Sequence, residues 1–152
     1  MSSKEGLLFE QDRVEFSGIR ASILLGGDSP FSVMELAVER RLGSPRHISE
    51  DEDKVFLVTS GRFVFAVGNR VLDVAATNIV YVPRGVEHSF ASASARGEMV
   101  LVSSPAHHDQ FFRAMAGLTE PHDSAEVIGV SQAYGQRITG PVVTIVDFLA
   151  DS

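Results

Sequence analysis

From Val55 to Ser104 the chain repeats one small unit: a short apolar, β-branched or aromatic run, then a break rich in glycine, asparagine or proline. VFLVTS is followed by Gly61, FVFAV by Gly68 and Asn69, NIVYV by Pro83 and Gly85, and EMVLVSS follows a turn at Arg96 and Gly97. Strands this closely spaced leave no room for crossover helices, so the pattern excludes βαβ units and predicts an antiparallel sandwich or barrel. Upstream, IRASILL (19–25) and FSVMELAVER (31–40) flank Gly26, Gly27, Asp28, Ser29 and Pro30, which supply turn chemistry, and read as a further strand pair. Residues 43–53 read as a polar loop, with Glu50, Asp51, Glu52 and Asp53 as a solvated acidic run. A chain of 152 residues with 44% hydrophobic content and ten Phe has the material for one core. The expected organisation is an N-terminal arm (1–18) and a single domain (19–152).

The periodicity changes at Pro105. In AHHDQFFRAMAGL, residues Phe111, Phe112, Met115 and Leu118 fall at helical spacing, which predicts a helix packed on the outside of the barrel. HDSAEVIGVSQAYG (122–135) reads as a second, shorter helix ending at Gly135, and VVTIVDFLA (142–150) as an added strand or a segment covered by a partner.

Thirteen Lys and Arg against twenty Asp and Glu give a net charge of −7, an acidic surface that repels phosphate backbones and anionic membranes. Nucleic acid and membrane are therefore excluded as expected partners. The absence of Cys removes disulfides, thiolate zinc sites and a Cys nucleophile. No segment has the apolar length of a membrane span, and MSSKEGLLFEQDR lacks the pattern of a signal peptide. The expected location is the cytoplasm.

Two stretches, PRHISEDEDKVFLVTSG and TNIVYVPRGVEH, resemble the two sequence motifs of the cupins, and PAHHDQFFRAMAG with YGQRITGP is similar to the quercetin-dioxygenase-like branch of single-domain bacterial cupins. The resemblance implies an all-β fold, a cupin jelly-roll barrel with one or two C-terminal α-helices, and a homodimer. It also implies a site at the barrel mouth, where cupins hold iron, manganese, nickel, copper or zinc with His, His, Glu and His. Counting back from Gly61, Lys54 takes the position of the usual Glu, Ser49 that of the second His and His47 that of the first; His88 takes the fourth.

A hydroxyl is a poor donor to a first-row metal, and an ammonium repels one. At an effective dielectric of about 20, unit charges ~4 Å apart interact by about 4 kcal/mol, and a divalent ion doubles that. The expectation is therefore a site without a metal, in which His47, Lys54 and His88 carry catalysis while Ser49, Phe56 and Phe90 hold a small, partly apolar or aromatic ligand. The reaction class expected is proton transfer of isomerase or cyclase type, or simple binding. The alternatives are a metal-dependent dioxygenase with iron, manganese, nickel, copper or zinc on His47, His88 and an acidic residue, Glu52 or Glu50, and a sensing module without chemistry. His107, His108 and His122 read as surface residues, and Arg84 as a solvated turn residue.

Overall fold

The computed structural model describes residues 5–144 and 146. Ten strands come first: β1 (Asp12–Phe16), β2 (Ile19–Leu25), β3 (Ser32–Glu39), β4 (Gly43–Ser49), β5 (Asp53–Ser60), β6 (Arg62–Val67), β7 (Arg70–Ala75), β8 (Ile79–Val82), β9 (His88–Ser92) and β10 (Arg96–Ser104). Two helices, α1 (His108–Ala116) and α2 (Ser124–Ala133), and a last strand, β11 (Gln136–Val142), complete the described chain. The strands form two antiparallel sheets, ordered β1-β2-β3-β10-β5-β8 and β11-β4-β9-β6-β7. This is the expected jelly-roll barrel with two C-terminal helices.

Strand alternation explains the core. On β3, Met34, Leu36 and Val38 point inward, and on β10, Met99 and Leu101 do the same. They meet Phe56 and Val58 of β5 and, from the other sheet, Phe63, Phe65 and Phe90. The phenylalanines interlock, Phe56 and Phe65 edge to face with centroids 5.1 Å apart at 67°, and Phe65 and Phe90 tilted at 36° with centroids 5.8 Å apart.

Several elements differ from the reading of the sequence. Residues 12–16, within the expected arm, pair with β2 as the edge strand of the larger sheet. Residues 43–49, read as loop, form β4, a central strand of the smaller sheet. GSPRHIS lacks an apolar face because its inward positions, His47 and Ser49, line a polar pocket rather than a core. The last strand begins at Gln136 rather than in the apolar tail; it pairs with β4, and Val143 beyond it covers Val64, Ala66 and Ala91 on the outer face of β6 and β9. Of the expected tail, residues 145 and 147–150 lie outside the described residues. The first helix is not on the outside of the barrel: Phe112 and Met115 join the main core, and α1 and α2 together form one wall of the internal cavity.

Close approach of β4 to β9 depends on Gly43, where a Cβ would lie 1.9 Å from the Phe90 carbonyl oxygen. Backbone cannot step aside as a side chain can, so Gly43→Ala is expected to cost more than about 2 kcal/mol. Gly129, in α2 with nothing within 4 Å of its Cβ position, is the counterpart. Gly129→Ala is expected to stabilise by about 0.5–1 kcal/mol through helix propensity. Urea unfolding midpoints of the two variants check both signs, and equal effects would refute the account of β4 packing.

Candidate active site

A cavity of about 600 Å³ lies between the two sheets and the helices. Lys54, His47 and His108 line one part of it, and Ser17, Gly18 and Glu39 another. The pairing register separates these regions along the barrel. Lys54 pairs with Ser103 of β10 and Glu39 with Arg96, seven residues along the same strand, roughly 20 Å at the usual strand rise. The wall between them is apolar: Phe16, Phe56, Phe90, Leu101, Phe112 and Met115.

At one end, Lys54 sits between two imidazoles. Its Nζ is 3.3 Å from His47 Nε2 and 3.2 Å from His88 Nε2. The two histidines are direct partners across β4 and β9, with ring centroids 4.2 Å apart. Each uses its other nitrogen on a backbone carbonyl: His47 Nδ1 lies 2.7 Å from Pro45 O, and His88 Nδ1 2.9 Å from Val86 O. A carbonyl only accepts, so both Nδ1 atoms carry the proton and both Nε2 atoms present lone pairs to Lys54. The ammonium donates two of its three hydrogens to them.

Lys54 is 2% exposed. It lines the cavity beside His47, and Arg137 and Arg84 rather than Lys54 hold the neighbouring carboxylates Glu50 and Asp53. Burial lowers its pKa from 10.5 to about 8, against the opposing charge of Glu52. Burial and the Lys54 charge push His88 down to about 3 and His47 well below the ordinary imidazole value, so both rings are neutral.

Glu52 and His108 correct the sequence reading. Glu52 belongs to no solvated run: it is 3% exposed, and its Oε1 accepts from His108 Nδ1 at 3.1 Å and from Gln136 Nε2 at 2.7 Å. Burial raises the Glu52 carboxyl, but His108, Lys54 and Gln136 outweigh it and hold the group below the usual carboxylate range. His108 is no surface residue; it is 3% exposed, and burial and the Lys54 charge lower its pKa despite Glu52. The resulting state at neutral pH is an ionised Glu52, a charged Lys54 and neutral histidines.

Ser49 serves this second group rather than the ligand directly. Its Oγ donates to Gln136 Oε1 at 2.6 Å, which fixes the amide so that its nitrogen faces Glu52 and the Tyr134 carbonyl. Phe56 and Phe90 line the cavity as expected, and His107 is exposed as expected. His122 is another correction: it lines the cavity near Ser17 and Glu120 and its side chain is 13% exposed.

His108, read as a surface residue, and Glu52, named only as an alternative metal ligand, both left a signal. Glu52, just before β5, continues the alternation of Lys54, Phe56 and Val58 on one face of that strand, and His108, Phe111, Phe112 and Met115 follow the i, i+3, i+4, i+7 spacing of one helix face. Gln136 shows itself only through its pairing with Ser49 across β4 and β11.

Comparison with known proteins adds the following. Residues 32–105 match the family model described as Cupin domain. An uncharacterized protein of Streptomyces coelicolor is 41% identical over 54 residues, 36% of this chain and 51% of that protein, so the chain spans about half the length of the curated relative it matches. Among solved structures, KdgF from Halomonas sp. superposes with a TM-score of 0.63 at 17% identity, covering 69% of this chain and 98% of that one. Pac13 of Streptomyces, described as a unique nucleoside dehydratase, superposes with a TM-score of 0.63 at 19% identity, covering 91% and 94%. A sugar phosphate isomerase of the cupin superfamily from Silicibacter pomeroyi gives 0.52 at 23% identity, covering 57% and 59%. At these identities the likeness to the solved structures is one of fold.

The buried charges predict how stability follows pH. Between pH 8 and 10.5 the unfolded chain still binds the lysine proton that folded Lys54 has released, so stability rises with pH over that window. Below pH 6.5 the unfolded chain protonates a histidine that folded His88 leaves neutral, so stability falls as pH drops toward 3. Urea unfolding of the protein and of Lys54→Met across both windows checks this. The variant should lose the alkaline rise, and an identical rise in both would show that Lys54 is not its source.

Proposed function

Because residues 32–105 match the Cupin domain model, we propose that this chain is a metal-independent small-molecule cupin, an enzyme of proton-transfer type acting on a partly apolar or aromatic molecule that carries an anionic or carbonyl oxygen. One observation carries the reading: the Lys54 ammonium is fixed by two imidazole nitrogens at 3.2 and 3.3 Å, which leaves one N–H free at the cavity surface. In an apolar cavity such a donor stabilises a carboxylate, phenolate or enolate oxygen more strongly than water does. The Phe56 and Phe90 rings supply a flat apolar wall beside it.

The residues present do not fit the divalent ion that cupin motifs commonly hold. Lys54 Nζ already takes both Nε2 lone pairs that such an ion would need, and its charge opposes a second cation. Glu52, the carboxylate that the dioxygenase alternative requires, is engaged with His108 and Gln136. Among the described residues, no three His, Asp or Glu side chains group as metal ligands. The isomerase and dehydratase among the fold neighbours accord with chemistry that moves protons and breaks C–O bonds.

Binding of 4-nitrophenol, followed at the phenolate absorbance, tests the reading. The protein is expected to bind the anion and to ionise the phenol at a pH below its solution pKa, while Lys54→Met weakens binding roughly 10- to 100-fold, the range for a lost hydrogen bond to a charged group. Equal binding by Lys54→Met would remove Lys54 from the site. So would about one equivalent of iron, manganese, nickel, copper or zinc in protein purified without a metal-affinity tag.

A further inference from the structure

Lys54 holds an oxygen; it does not say which group moves the proton. As an ammonium it has no lone pair. His47 and His88 spend Nε2 on Lys54 and Nδ1 on the carbonyls of Pro45 and Val86, so neither has a nitrogen left. His122 has Nδ1 3.5 Å from Ser17 Oγ and an Nε2 without a hydrogen bond 3.5 Å from Glu120, but it stands at the Ser17 end of the cavity, away from Lys54. His108 differs. Its Nδ1 is engaged by Glu52, its ring packs 5.1 Å from Phe112, and it lines the same cavity as Lys54.

We propose that His108 is the general base of this cavity, acting through Nε2, and that Glu52 is its positioning residue; the inference rests on the reading of Lys54 as the oxygen-binding group. A carboxylate accepting from Nδ1–H fixes the ring and its tautomer and stabilises the imidazolium formed when Nε2 takes a proton. Gln136 and Ser49 hold the carboxylate in turn, a chain of four buried side chains linked by contacts of 3.1, 2.7 and 2.6 Å. This is more order than a packing role needs. The substrate class is a carbonyl compound with an acidic α C–H. His108 Nε2 takes that proton, the C–H electron pair becomes the enolate C=C as the carbonyl π pair moves onto the oxygen held by Lys54, and His108 returns the proton. Returned to a different atom of the enolate, the proton completes an isomerisation; given to a β-hydroxyl that departs as water, it completes an elimination. No oxidant or reductant enters.

The probe is 5-nitrobenzisoxazole, a flat aromatic whose ring C–H is removed by a base as its N–O bond breaks to a coloured phenolate. The full chain is expected to accelerate this opening well above an equal concentration of free imidazole, and His108→Gln to lower the rate about 100-fold or more, the lower range for a general base. His107→Gln, exposed and one residue away, should leave it unchanged. Glu52→Gln should slow turnover at least about tenfold, with partial rescue by Glu52→Asp, and should change the ¹⁵N signature of His108 from the Nδ1–H tautomer. A wild-type rate in His108→Gln, no acceleration by the native chain, or an Nε2–H tautomer for His108 in native protein would overturn the proposal; the last holds even if the variant fails to fold. The nitrophenol measurement separates the two readings. Lost phenolate binding in Lys54→Met with ring opening intact in His108→Gln removes the base alone, and the reverse pattern removes the Lys54 reading alone.

Discussion

A single buried ammonium held by two neutral imidazoles sets the terms for everything around it. Lys54 lowered to about 8 implies that burying its charge costs about 3 kcal/mol, a large share of the net stability of a domain this size. The surroundings limit that cost in three ways. Two acceptors point at the Nζ, their rings are locked in the accepting tautomer by backbone carbonyls two residues away in each case, and the Glu52 carboxylate lies close enough to raise the lysine pKa against burial. The direct pairing of His47 with His88 across β4 and β9 is what makes the first possible, since partners across strands are held at short Cβ distance. The register of that pairing and the close approach at Gly43 therefore belong to the site as much as to the fold.

The parts of this arrangement differ in how plainly they were written in the sequence. Strands β5 to β10 were legible because one apolar face alternates with polar positions between unmistakable turns; the count back from Gly61 singled out His47, Ser49 and Lys54, and the second motif singled out His88. β4 was not legible as a strand, because alternation is visible only when inward residues are apolar, and here they are His47 and Ser49. Glu52 was hidden by company: it stands among three acidic residues that are solvated or partly so, and only the alternation it continues, from just before β5, with Lys54 and Phe56 sets it apart. His108 lies at the first position of α1, where the apolar stripe of the helix extends to it through spacing alone. Gln136 carries no local signal. Its role arises from pairing across 87 residues of sequence, which no pattern confined to one segment can show.

The cavity couples these local features into one environment. Phe56 is a core residue by its contacts with Phe65 and Phe90 and a cavity wall by position, so the aromatic cluster that stabilises the barrel also sets the low dielectric around Lys54. In such surroundings the balance of charge matters more than its amount. Glu52 and Lys54 oppose one another while His47 and His88 stay neutral, which gives a strong internal field at this end of the cavity. In the proposed reaction, charge that develops on the ligand oxygen during proton removal is met by Lys54, and the imidazolium of His108 is met by Glu52.

An ammonium and a divalent cation are not equivalent at this position. A metal offers several coordination directions, so two molecules can bind side by side on one centre and exchange electrons through it. Lys54 offers three directions and has used two, so it can bind one oxygen from one ligand. Chemistry that suits such a centre needs a single stabilised oxygen and a nearby base rather than two co-bound reactants. Lysine where cupins commonly carry glutamate thus narrows the proposed reaction class by geometry as well as by charge, and Glu52, the residue just before β5, supplies the carboxylate that orients the proposed base.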